Sequence, residues 1–179
     1  GDVLIGDSES LAARPDLPAH GIPADELPAS DPFLDEVLVD VVFGDEGPSG
    51  VICGSNPRSA LLAAYRFLLA LGFRWLHPGD DGEVVPSGGE LPGTRIWLAE
   101  RPSYPHRGVC IEGAVSYEHV RDVITWLPRA GMNAYFIQFR EAFTFFDRWY
   151  GRKHDGPFTP DEARSLVDRL AKEIARRGL

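Results

Sequence analysis

The chain has 179 residues, of which 44% are hydrophobic and 11% aromatic; that is enough apolar material for a buried core and unlike a disordered tail. Its formal net charge of −9 lacks the basic excess that a phosphate backbone or an anionic membrane surface attracts, so neither nucleic acid nor membrane is an expected partner. No apolar run reaches the ~18 residues a bilayer span needs; the longest, Ala60 to Leu71, is interrupted by Tyr65 and Arg66.

In chain order, Val3 to Gly6 is a short strand candidate, and residues 7 to 34, rich in Pro, Ala and Asp, read as an irregular surface excursion. Glu36 to Phe43 alternates, with Val37, Val39 and Val41 on one face and Leu38, Asp40 and Val42 on the other, which predicts a strand. A turn at Asp45 to Pro48 leads to a second strand, Gly50 to Gly54, so the two are expected to form a hairpin. The next helix is well marked. Asn56 is a good N-cap, Pro57 suits the first helical position, Gly72 lies just past the end, and Leu61, Leu62, Tyr65, Leu68 and Leu69 recur at helical spacing. Arg74 to Leu76 and Thr94 to Leu98 are further strand candidates, separated by a turn at His77 to Gly82.

Two prolines in four residues, Pro102 and Pro105, read as a linker, which divides the chain into a domain over residues 1–101 and another over 102–179. Beyond it the pattern is strand (Arg107 to Glu112), helix (Ser116 to Gly131), strand (Ala134 to Phe139), loop and helix. Thr159, Pro160 and Glu162 form the capping signature of that last helix. Strands alternating with helical crossovers imply parallel pairing. Both cysteines, Cys53 and Cys110, fall in runs that read as buried strands and are expected to be free core thiols. The five histidines show no metal-ligand spacing, and no cofactor is expected.

Three segments in this order resemble a known arrangement: GSNPRSALLAAYRFL (54–68) followed by LGFRWLHPG (71–79), then PHRGVCIE (105–112), then GMNAYFIQ (131–138). The first is similar to the helix and following strand of the small N-terminal domain in several glycoside hydrolases, among them family-20 β-hexosaminidases and family-67 α-glucuronidases. The second resembles the Pro-His-Arg-Gly segment that begins the hexosaminidase barrel, and the third the Met-Asn stretch that opens its second strand. The resemblance implies an α/β chain: a small α+β domain like hexosaminidase domain 2, followed by the first βαβα units of a TIM barrel. It implies the N-terminal part of a carbohydrate-active enzyme acting on an amino-sugar or uronic-acid glycoside. The catalytic carboxylates are then expected beyond Leu179, with the rest of the barrel as the fragment's partner, and residues 1–179 alone are expected to be inactive. The chain departs from the hexosaminidases at Phe136, Ile137 and Gln138, where that family carries a His-containing pattern.

By the same resemblance Arg107 matches an arginine that binds sugar hydroxyls, and Glu112 matches an acidic residue at the end of the first barrel strand. Glu141 follows the second strand. Glycosidic bonds are cut by paired carboxylates, and in α/β barrels the working groups project from the C-terminal strand ends. Glu112 and Glu141 meet that requirement, whereas Arg107 opens its strand and enters the site through the family match alone. The aromatic loop from Phe139 to Tyr150 is a candidate sugar platform, and Trp75 a candidate plug between the domains. Two other functions stay open: a non-catalytic sugar-binding or scaffold role, and a phosphosugar binder using the helix N-terminus at Asn56. The apolar faces at Ile111, Phe136 and Leu166 are expected to be exposed.

Overall fold

The computed structural model describes residues 1–89, 91, 93–111, 116–137 and 158–179. The chain is a mixed α/β protein with a mixed sheet, and the described residues form eight strands and four α-helices. Two compact units emerge: Gly1–Arg74 with Glu83–Pro105, and Trp75–Gly82 with His106–Leu179.

The first unit is built on a four-stranded sheet. Its strands are β1 (Val3–Asp7), β2 (Val37–Gly44), β3 (Gly47–Gly54) and β6 (Arg95–Glu100), in the order β1-β3-β2-β6; β4 (Arg74–Trp75) and β5 (Glu83–Val84) are two-residue strands outside it. The predicted hairpin is present: β2 and β3 pair antiparallel and close with Gly44 opposite Gly47. β1 adds to β3 in parallel, and β6 adds to β2 antiparallel.

Strand alternation sends side chains to two separate cores. On one face, Val37, Val39, Val41 and Ile52 pack against Leu62 and Ala63 of helix α2 (Pro57–Ala70), with Phe43 stacked on Phe67 at 6.3 Å. On the other, Leu38, Val51, Cys53 and Leu4 meet Leu11, Leu17, Ile22 and Leu27. The stretch read as a surface excursion therefore supplies half a core. It does so through the short helix α1 (Ser8–Ala12) and two 3₁₀ turns, each too brief to leave a periodic signature. Burial of each such aliphatic side chain contributes roughly 1.5–3 kcal/mol.

The second unit pairs β7 (Gly108–Ile111) with β8 (Ala134–Ile137) in parallel, joined through helix α3 (Tyr117–Arg129). Helix α4 (Pro160–Arg176) begins at the predicted capping box, in which Thr159 and Glu162 bond each other's backbone amides. Val120 and Ile124 of α3 and Leu170 of α4 form its core, with Tyr135 of β8 packed against them. Two expectations are corrected in this unit. Leu166 is buried, because α4 turns that stripe inward, and Cys110 is exposed rather than a core thiol. Cys110 pairs in register with Phe136, which is 60% exposed, on the strand face opposite Tyr135.

Candidate functional site

Arg107 lies at the N-terminal edge of the parallel pair. Its backbone N–H donates to Asn133 Oδ1 (2.8 Å), and its carbonyl accepts from the amides of Asn133 (2.7 Å) and Ala134 (3.1 Å). Its Nε donates to the Gly131 carbonyl at 2.9 Å. Asn133 is buried, so these bonds pin the α3–β8 turn against the start of β7. The glycine that follows has a steric reason: a Cβ at Gly108 would stand 2.2 Å from the carbonyl oxygen of Ala134. Arg107 and Gly108 thus do structural work here, bringing two parallel strands close at one end.

The opposite end of this pair is where barrel enzymes place their chemistry. Ile111 and Ile137 are register partners there, so both strands finish at a common edge. At about 3.3 Å per residue, that edge is about 13 Å along the strand from Arg107. Glu112 and Glu141, and the aromatic loop from Phe139 to Tyr150, lie outside the described residues. The structure therefore places Arg107 at the N-terminal edge of the strand pair, away from the edge at Ile111 and Ile137, and gives it a bond network that positions backbone.

Beside β8, burial pushes the Tyr135 phenol up to about 12, so it stays protonated at neutral pH and serves as packing. Trp75 belongs with the second unit: its carbonyl accepts from Trp126 Nε1 at 2.8 Å, and the Arg129 guanidinium lies 5.4 Å from its ring.

In the first unit, the N-terminus of α2 is filled from within. The Ser59 amide donates to Asn56 Oδ1 and the Asn56 amide to Ser59 Oγ, both at 2.9 Å. A Cβ at Gly54 would meet Ala60 N at 2.1 Å, so the helix starts hard against β3. Asn56 Nδ2 donates to the carbonyls of Asp31 (2.8 Å) and Leu34 (3.0 Å), and the buried Asp35 carboxylate accepts from Arg58 Nε at 2.8 Å. The capping box already uses the Asn56 and Ser59 amides, Pro57 offers none, and the fixed Asp35 carboxylate stands beside them. That geometry works against a phosphate at this helix end.

Cys53 is buried, and its thiol is pushed up mainly by that burial, which disfavours a nucleophilic thiolate. Among the described residues no group of three or more His, Cys, Asp or Glu is arranged to hold a metal, and no helix is long and apolar enough to cross a membrane.

One feature escaped the sequence reading. A groove of about 280 Å³ runs between the starts of β2 and the end of β6, lined by Glu26, Pro28, Glu36, Leu38, Ala99 and Arg101 among others. Next to it along β6 stands Trp97, 58% exposed. The signal was the alternation of Arg95, Trp97 and Ala99 against Ile96 and Leu98, which puts a tryptophan on the outward face of a strand. No protein-family model and no curated protein sequence matches the chain.

Proposed function

We propose that this chain is the N-terminal part of a glycoside hydrolase: a small α/β accessory domain followed by the first two strands of a (β/α) barrel, acting on an amino-sugar or uronic-acid glycoside. The observation that supports it is the parallel, in-register pairing of β7 with β8 through the α3 crossover, directly after the Pro102–Pro105 linker. Parallel pairs joined by helices occur in α/β folds whose sheets are covered or closed. The covered face at Tyr135 and the open face at Cys110 and Phe136 are the two sides that a barrel strand presents to its helices and to the barrel interior.

In this reading the substrate lies over the C-terminal strand edge, where Glu112 and Glu141 accept hydrogen bonds from sugar hydroxyls, and the acid and nucleophile come from later strands. Arg107 enters the substrate set through the resemblance. As a guanidinium it suits vicinal hydroxyls or a uronate carboxylate; its described bonds give it a positioning job as well.

The test is hydrolysis of aryl glycosides, with N-acetylhexosaminides and glucuronides as the first probes. The protein extended through a full barrel should turn over one class, and residues 1–179 should turn over none, because barrel closure and preorganised charge are both needed. In the extended protein, Glu112→Gln should raise KM or lower kcat roughly tenfold or more, as expected on losing a charged hydrogen bond worth about 1.5–3 kcal/mol. An extended protein that cleaves neither class, and a Glu112→Gln variant with unchanged kinetics, would each remove the corresponding part of the proposal.

A further inference from the structure

β6 is the last strand of its sheet: β2 pairs with one edge of it, and no described strand pairs with the other. The register shows which groups that leaves. Phe43 N donates to Thr94 O, and bonded pairs alternate along an antiparallel ladder, so Ile96, Leu98 and Glu100 turn their N–H and C=O groups to β2. The N–H and C=O groups of Arg95, Trp97 and Ala99 therefore point away from the sheet, with no bonding partner among the described residues. The pairing with β2 is continuous and the strand holds no proline, so of the usual devices that blunt an edge only charge is present. At one end of this edge, Ala99 lines the groove described above, together with Glu26, whose carboxylate has no partner among the described residues. At the other end, Arg95 donates to Asp40 through Nε and one terminal nitrogen, at 2.7 and 2.6 Å, which leaves its second terminal nitrogen to donate elsewhere.

We propose that this edge is a homodimer contact, in which β6 pairs antiparallel with β6 of a second copy about a two-fold axis through Trp97. A two-fold axis that joins two edges antiparallel keeps both sheet faces, so opposite residues come from the same face, and a slip of one residue is excluded. Bonding further requires the outward-pointing amides of Arg95, Trp97 and Ala99 to meet one another. Arg95 opposite Arg101 would set like charges together, and Arg95 opposite Trp97 would leave Ala99 facing a residue outside the strand. Trp97 opposite Trp97 sets Arg95 against Ala99 at both ends, and all three outward residues then exchange their backbone bonds. Ile96 comes opposite Leu98 on the inner face, and the two indoles form a cross-strand aromatic pair on the outer one. Charge selects a second copy over another partner. Because Ala99 is small and lines the groove, Arg95 of the second copy, lying opposite it, reaches the groove where Glu26 is unpaired. The other two carboxylates there are taken: Glu36 faces Arg101 at 3.4 Å, and Glu100 accepts from Arg66 Nε at 2.8 Å. The symmetry repeats the match at the other end, as an isologous interface requires. The paired strands are short and the net charge of −9 opposes association, so the dimer is weak. The contact lies wholly within the first unit and stands or falls separately from the barrel reading.

The test is oligomeric state, read on the intact chain. Sedimentation velocity over about a hundredfold range of concentration should show monomer giving way to dimer. Over the same range, NMR should show the amides of Arg95, Trp97 and Ala99 gaining protection from hydrogen exchange. Glu26→Lys, at an exposed position, should weaken the dimer roughly fivefold or more, because two ion pairs become two repulsions. Ala99→Pro removes an amide that no internal bond uses and should weaken it roughly tenfold or more, with two intermolecular hydrogen bonds lost. Arg95→Glu combined with Glu26→Lys restores the charge match and should recover dimerisation relative to Glu26→Lys, which damage to folding could not do. Association that survives both Glu26→Lys and Ala99→Pro would put the contact on another surface and overturn the proposal. So would a chain that stays monomeric throughout, a double variant no better than Glu26→Lys, or a monomer whose β6 amides respond only to an added alternating Lys-Val peptide.

Discussion

The two compact units use strands in opposite ways. In the first, a four-stranded sheet has a core on each face, and its central hairpin is closed by a tight local turn. In the second, among the described residues, two parallel strands carry helices on one face, and Phe136 and Cys110 stand open on the other. An antiparallel hairpin forms with its neighbour in sequence, whereas a parallel pair must close a helical crossover before its first hydrogen bond forms. The contrast teaches that the first unit has its stabilising partners within itself, while the described residues of the second cover one face of its strand pair.

The same chemical deletion in each core would sharpen that comparison most. Ile52 and Ile124 are both essentially fully buried. Either truncation to alanine should cost about 2–5 kcal/mol. Because the cores are separate clusters, Ile52→Ala should release amide protection in β2, β3 and α2 alone, and Ile124→Ala in α3, α4, β7 and β8 alone. The second variant should reach full exchange at lower denaturant, since the described residues of its unit supply fewer buried apolar side chains. Hydrogen exchange followed by mass spectrometry reads both. Uniform loss across the chain in either variant would mean that the two regions fold as one cooperative body.

A smaller effect is expected where the parallel strands touch. Gly108→Ala forces a Cβ onto the Ala134 carbonyl, and overpacking of this kind costs typically about 1–3 kcal/mol. The expected outcome is weaker β7–β8 protection with the hairpin of the first unit untouched. An unaffected variant would show that the strand pair has room to separate, and would break the claim that Arg107 and Gly108 hold its N-terminal edge.

What the sequence made legible follows the same division. Local signals carried through: Asn56 with Pro57, and Thr159 with Pro160 and Glu162, start helices where the caps predict, because a cap depends only on its own turn. The alternating valines of β2 gave its two faces correctly, since period two needs no knowledge of partners. Non-local facts were not legible. Nothing in Val3 to Asp7 announces that β1 pairs in parallel with β3, and nothing in residues 7–34 signals that Leu11, Leu17, Ile22 and Leu27 converge on one sheet face. Cys110 was misread because a strand's apolar run does not say which of its faces will be covered. Of the candidate site, Arg107 could be placed by sequence at the start of its strand, but not its bond to the Gly131 carbonyl, which depends on how the α3–β8 turn folds back.

The smallest expected effect is a pH dependence confined to the first unit. Asp7 ends β1 and caps α1, its carboxylate accepting from the Ser10 amide at 3.0 Å and the Ser10 hydroxyl at 2.9 Å. The bond from the Ser10 amide is the main reason its carboxyl titrates below the usual range. A depressed folded-state value means that this contribution is fully present above the unfolded carboxylate value of about 3.9, and is lost as pH falls through the folded one. Asn is also a good N-cap but does not titrate. The melting-temperature difference between wild type and Asp7→Asn should therefore be constant at neutral pH and shift against the wild type below about pH 4. Other acid-sensitive pairs, such as Asp16 with Arg14 and Glu173 with Arg177, are common to both proteins and cancel in the difference. A difference that stays flat down to the acid transition would mean that α1 is held by Leu11 in the core and not by its cap, so that this short helix owes its place to packing alone.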